Sequence, residues 1–319
     1  MLYRRHLRIK VLQSLYSWFS GSFNDLPTGE KALFQSIDKQ YELFIYQLSF
    51  LVEVKNFALF RMEENKKKFF PTEDDLHPNQ KFVQNKALKL LEENIDFQRK
   101  VEKLKINWKP EENLLLKFYK EMREAEFYKK YMADTENFLE EDKKFLIKVV
   151  DRLMQNFDLL KAYYEEKNVY YSEGYDLCGV MLIKFIDNLS PRFTADTPMP
   201  EIYSTGSQKV NEDKLFVQKL FRKVILNNEE LTEIIRSKSK NWEYERIPLL
   251  DVILLKMAIV ELKEMPTIPV KVTLNEYIEL AKYFSTPKSK TFINGVLDKL
   301  IGEYKDQGLI RKTGRGLIE

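Results

Sequence analysis

Residues 4–18 read RRHLRIKVLQSLYSW, and their spacing decides the fold class. At 100° per residue, Leu7, Val11, Leu15 and Trp18 form one stripe and His6, Lys10, Gln13 and Ser17 the opposite one. That is the period of an amphipathic helix, not of a strand. Arg4 and Arg8 fall on the apolar side, in line with Val11 and Leu15. An apolar stripe cannot carry two unpaired guanidinium groups into a core, because a buried charge without a partner is strongly destabilising. The first two turns are therefore expected to overhang the core as a basic fin of Arg4, Arg5, His6, Arg8 and Lys10. Such a fin suits phosphate and base contact, since arginine presents a planar, bidentate fork. The plainer reading is a solvated, frayed terminus.

Charge is distributed to match. The chain of 319 residues has 52 Lys and Arg against 49 Asp and Glu, a net of +3. Residues 1–24 hold Arg4, Arg5, Arg8 and Lys10 and no acid, which leaves the remainder close to neutral. Basicity concentrated at one end is an electrostatic footprint for an anion. Glycine is scarce, 10 residues in all, and no glycine-rich phosphate loop of the dinucleotide or P-loop kind is present. Cys178 is the single cysteine, and His6 and His77 are far apart with no HExxH. A disulfide framework and a cysteine-based zinc site are excluded, and neither a cofactor nor a metal is implied. No run of 18 uninterrupted apolar residues and no signal-peptide pattern occur, so a cytoplasmic, membrane-free protein is expected.

Working outward, nearly every segment reads helical, because Lys, Glu, Leu and aromatics dominate and alternating strand patterns are short. Helices are expected over about 4–19, 30–68, 79–105, 110–132, 137–166 and 172–189. Residues 190–211, with Pro191, Pro198, Pro200 and Gly206, form the clearest break. Further helices follow near 212–226, 229–238 and 246–264, then two short ones. Thr273 with Glu276 reads as a capping box, and Thr286 before Pro287 as an N-cap. RKTGRGLIE at the end reads as a mobile tail.

A second candidate site lies where the last helix begins. Lys288, Ser289 and Lys290 occupy its first turn, where lysines oppose the helix dipole and an anion would resolve the conflict. Phe284 and Phe292 flank the turn and could stack on bases. On spacing alone Phe292 continues a core pattern with Ile293, Val296, Leu297 and Leu300. Tyr163, Tyr164, Tyr170 and Tyr171 read as core and rim. Paired carboxylates such as Glu63–Glu64 read as solvated faces, so no catalytic residue is named and no enzyme is expected. EDKKFLIKVVDRL from Glu141 lines up with EDKLFVQKLFRKV from Glu212 at an offset of 71. An internal duplication and two similar amphipathic helix pairs both account for it.

The residues also resemble a known family. RRHLRIKVLQSLYSW is similar to the arginine-rich first helix of the NusB family. RIPLLDVILLKMAIVEL (246–262), IPVKVTLNEYIELAKYF (268–284) and FINGVLDKL (292–300) follow in that family's order and spacing. The resemblance implies an all-α helical bundle with a NusB-like RNA-binding fold and additional inserted helices. It implies a basic helix of that fold at 1–29, an insertion at 30–200, a NusB-like core at 201–304 and a basic tail at 305–319. It further implies a cytoplasmic transcription antitermination factor without catalytic activity. Its partners would be boxA-type single-stranded RNA, the ribosomal protein NusE and the RNA polymerase elongation complex, with a homodimer left open.

By position, Arg4, Arg5, Arg8 and Gln13 match the family's RNA-binding helix, with His6 where a further arginine can stand. Phe284, Ser289 and Phe292 match positions near the RNA, which makes Phe292 shared between core and edge. Glu245 and Asp251 match acidic positions of the NusE-facing surface. Lys288 reverses a charge that is often acidic in the family: either it strengthens RNA binding or the turn is out of contact. The rival reading is a helical protein–protein adaptor. A methyltransferase fusion is disfavoured by the missing glycine loop.

Overall fold

The computed structural model describes residues 4–136, 138–203, 211–239 and 246–317. Among these the chain is all-helical, with no strand. It divides into two compact units, Met1–Ile37 with Ile202–Glu319 and Asp38–Glu201.

In the first unit, helix α1 (Arg4–Phe19) ends at Gly21, whose φ of 85° is the left-handed conformation that glycine adopts without strain. The amides of Gly21 and Ser22 bond back to the carbonyls of Trp18 and Ser17 at 3.0 Å each, closing a Schellman motif. Asp25 then caps α2 (Leu26–Lys66), accepting from Thr28 N at 2.9 Å. Gly29 in its first turn is needed for close approach: a Cβ there would sit 2.9 Å from the Trp18 ring. Next come α11 (Glu212–Leu226), α12 (Asn228–Lys238), α13 (Leu249–Glu264), α14 (Val270–Phe284) and α15 (Ser289–Asp306).

The hub is α13. Every residue from Asp251 to Leu262 is buried, and α1, α11, α12, α14 and α15 all pack against it. A helix that is apolar nearly all round, as LLDVILLKMAIVEL is, is stable only when enclosed in this way.

The second unit holds the rest of α2 and the helices α3 (Glu73–Leu76), α4 (Lys86–Glu92), α5 (Ile95–Lys103), α6 (Glu112–Glu124), α7 (Glu126–Ala133), α8 (Leu139–Lys148), α9 (Asp158–Lys167) and α10 (Val169–Asp187). Its core is aromatic: Phe50 packs on Trp108 and Phe118, and Tyr131 stacks on Phe145 at 4.0 Å. Tyr164 and Tyr171 are buried, while Tyr163 and Tyr170 are half-buried. α2 is, among the described residues, the one helix long and apolar enough to cross a membrane; 72% of its most apolar stretch is buried inside the protein.

Several expected boundaries move, for identifiable reasons. The helix expected over 79–105 is two, because buried Asn85 and Asn94 each cap a new start, accepting from Leu88 N and Phe97 N. The helix expected over 137–166 runs through a π-turn at Val149–Leu153 and restarts at Asp158. Thr273 and Glu276 form no capping box: α14 starts at Val270, and both side chains are engaged by other helices. α15 begins at Ser289, two residues beyond Pro287. The terminal segment packs instead of hanging free, with Thr313 N bonded to Pro266 O at 3.0 Å and Gly316 buried. The helix pattern at an offset of 71 reaches beyond the matching sequence: shifted by 71 residues, α9 falls on 229–238, within α12.

Candidate nucleic-acid interface

The arginines of α1 do not form a uniform fin. Arg8 is 2% exposed and lies inside the first unit. Its guanidinium makes a two-pronged pair with the buried Glu261 of α13, Nε to Oε2 at 2.8 Å and Nη2 to Oε1 at 2.7 Å. Thr273 Oγ1 and Tyr277 OH donate to the same carboxylate at 2.9 and 3.1 Å. Phe216 and Tyr277 lie 5.4 and 5.9 Å from the guanidinium carbon. Burial alone would lower the pKa of Arg8, but the Glu261 carboxylate outweighs it and the pKa rises. The stripe of Leu7, Val11 and Leu15 thus does continue through an arginine, because that arginine is paired. This corrects the expectation of an overhanging fin.

Arg4 and Arg5 reach outward. Arg5 grips Glu276 of α14, Nε to Oε2 at 2.9 Å and Nη2 to Oε1 at 2.7 Å, with 46% of its side chain exposed. Arg4 contacts Asp213 at 3.3 Å and Glu212 at 3.4 Å. His6 is half-buried, and burial together with the adjacent Arg5 lowers its pKa to about 4, so it is neutral at pH 7. Lys10 is buried and Gln13 half-buried.

Arg4, Arg5, His6 and Arg8 line a groove of about 650 Å³, closed on its other sides by Glu276, Val272, the Thr267–Pro269 turn and Arg315. Sequence reasoning missed Arg315; it sits in the segment read as a mobile tail.

The second candidate site is split by burial. Lys288 and Lys290 are exposed, and Phe284 and Phe292 are half-buried. Ser289 is buried, and its Oγ donates to Asp251 Oδ2 at 2.6 Å. Asp251, expected on a partner-facing surface, is therefore an internal tie from α13 to the start of α15; its 2% exposure leaves no face for a partner. Ser289 is likewise turned inward, with 2% exposure. Glu245 lies outside the described residues. Tyr283, not singled out in the sequence, is 77% exposed beside Phe284. Its one legible signal was being an aromatic off the apolar stripe of α14.

Glu279 of α14 feels charge from both candidate sites. Glu279 is held below the usual carboxylate range first by its hydrogen bond from Lys282, and also by Arg5 and Lys290. No group of His, Cys, Asp and Glu among the described residues is arranged to hold a metal ion.

Comparison with known proteins places this region. The family model described as the NusB family matches residues 193–302. The chain is 48% identical over 103 residues to a transcription antitermination protein NusB of Salinibacter ruber, covering 32% of this chain and 64% of the relative. It is 40% identical over 106 residues to the protein of the same name from Chloroherpeton thalassium, covering 33% and 50%. Over 86 residues it is 44% identical to that of Clostridium botulinum, covering 27% and 60%. The chain thus spans less than two thirds of the length of each of these relatives. No solved structure gives a significant match. Residues 193–302 are thus similar to the NusB family, and the chain carries further helices outside that stretch.

Proposed function

We propose that this protein is a non-catalytic, cytoplasmic transcription antitermination factor that binds boxA-like leader RNA of ribosomal RNA operons. It would act together with NusE and join the RNA polymerase elongation complex. The observation that carries the reading is the arginine-lined groove beside α1, on the unit that holds most of the family match.

The division of labour among the arginines follows from exposure. The Arg5–Glu276 pair is half in water, and exposed ion pairs contribute about 0–1 kcal/mol, so exchanging the carboxylate for a phosphate costs little. The Arg8–Glu261 pair is buried, and opening it would cost about 3–5 kcal/mol. Arg8 therefore anchors α1 while Arg5 and Arg4 meet the RNA. Tyr283 offers an exposed ring for a base; such stacking contributes about 1–3 kcal/mol.

The rival reading, a protein adaptor without specific RNA binding, draws on the ion pairs that already engage Arg4, Arg5 and Arg8. Fluorescence anisotropy of a boxA-type RNA across a salt series, with and without NusE, separates the two. RNA binding that tightens with NusE, weakens with salt and drops at least tenfold in an Arg4→Ala/Arg5→Ala double variant supports antitermination. NusE binding with no salt-dependent, arginine-dependent RNA binding would leave the adaptor.

A further inference from the structure

We propose that the C-terminal segment is an arm of the RNA site, with Arg315 supplying a phosphate contact in the groove that α1 also lines. The inference rests on the RNA-binding reading above and extends it to a residue far from the arginine-rich helix in sequence.

Three observations carry it. First, Arg315 lines the same groove as Arg4, Arg5 and Arg8. Second, it is the one arginine of that groove with no ion-pair partner among the described residues, and it is exposed. With the other three arginines matched to carboxylates and His6 neutral, Arg315 offers a phosphodiester a positive charge with no carboxylate to displace first. Third, the segment is built to present it. Gly314 takes a φ of 54°, the left-handed conformation glycine adopts freely. Gly316 lies so close to the α13–α14 turn that a Cβ would stand 2.0 Å from Pro266 O. Lys312 Nζ donates to Met265 O at 3.0 Å and Thr313 N to Pro266 O at 3.0 Å, fastening the arm. The two glycines bracket the arginine and leave it at the tip.

The test uses the full chain, a labelled boxA-type single-stranded RNA, NusE capture and a salt series. Arg315→Gln is expected to weaken RNA binding about fivefold at 0.1 M salt and to reduce the log–log salt slope by about 0.7, the loss of one phosphate contact to a single strand. Arg315→Lys is expected to keep the slope. Gly316→Ala, which displaces the arm while leaving the arginine in the chain, is expected to reproduce the Arg315→Gln loss. If Arg315→Gln matches the parent in affinity and slope while Arg4→Ala/Arg5→Ala loses binding, the arm is not part of the site and the RNA reading stands without it. If Arg315→Gln spares RNA but weakens NusE capture, the arm is a protein contact and the proposal is overturned. If the parent binds no RNA, both the reading and the arm fall.

Discussion

Asp213 and Asp142 stand at matching positions of two similar helices, at an offset of 71, and both are buried. Their partners differ. Asp213 in the first turn of α11 receives Arg4 from the basic helix α1. Asp142 in α8 receives the Tyr131 hydroxyl at 2.5 Å and the Lys86 amide at 2.7 Å. The contrast repeats at Glu261, which is met by Arg8 as well as by two hydroxyls. In the first unit Asp213 and Glu261 are met by arginines from α1, whereas Asp142 of the second receives a hydroxyl and a backbone amide. The first arrangement has a by-product: a helix pinned through Arg8 must carry its neighbours Arg4 and Arg5 to a surface. Similar helices thus carry a matching aspartate that meets an arginine in one unit and neutral donors in the other.

The largest effect expected from breaking this contrast is at Arg8. Arg8→Met strands Glu261 as a buried charge and should cost about 3–5 kcal/mol in urea unfolding, with partial recovery when Glu261→Gln is added. A smaller loss for the single variant would mean that the pair does not anchor α1. His6 comes next. Its folded pKa of about 4 lies below the unfolded value of about 6.5, so the unfolded chain holds the extra proton between those limits. Stability should be insensitive to His6 above pH 6.5 and should fall as the pH drops toward 4, by at most about 1.4 kcal/mol per pH unit. His6→Gln should flatten that fall; an unchanged profile would place the titrating group elsewhere.

In the second unit, Asp142→Ala removes the acceptor of Tyr131 and Lys86 and should cost about 1–3 kcal/mol while leaving RNA affinity unchanged. A drop in affinity that persists under conditions where the variant is fully folded would break the division between the units. The smallest effect concerns helix ends. α1 stops at Gly21, but α5 stops at Lys105, held at a φ of 53° with Ile106 N bonded back to Val101 O. Lys105→Gly relieves a left-handed non-glycine residue and should stabilise the unit by about 1 kcal/mol, read from the urea midpoint. No gain would show that the lysine is unstrained there.

What was legible in the sequence follows the range of the forces involved. α1 at 4–19 and α11 at 212–226 fall where the periodicity put them, since both are set by local pattern, with Gly21 and Asn211 marking an end and a start. The rule that an unpaired guanidinium cannot be buried was sound, but the partner of Arg8 lies 253 residues away. No spacing reveals such a pair. The same tertiary demand drew Thr273 to Glu261 and Glu276 to Arg5, so a local capping signature was spent on long-range contacts. Ser289 and Asp251 occupied promising positions in the resemblance, yet they face each other inside the unit. Arg315 was hidden differently: two glycines in a terminal stretch signal looseness, and only the close approach to Pro266 O shows that they permit packing.

If the protein works as proposed, RNA is held in the groove of the first unit. Hydrogen–deuterium exchange of the full chain, with and without boxA-type RNA and NusE, locates the bound RNA. RNA-dependent protection is expected at residues 4–10, 265–272 and 311–317, with residues 38–201 unchanged by RNA. Protection confined to 38–201, or none at the groove under saturating RNA, would contradict the proposal.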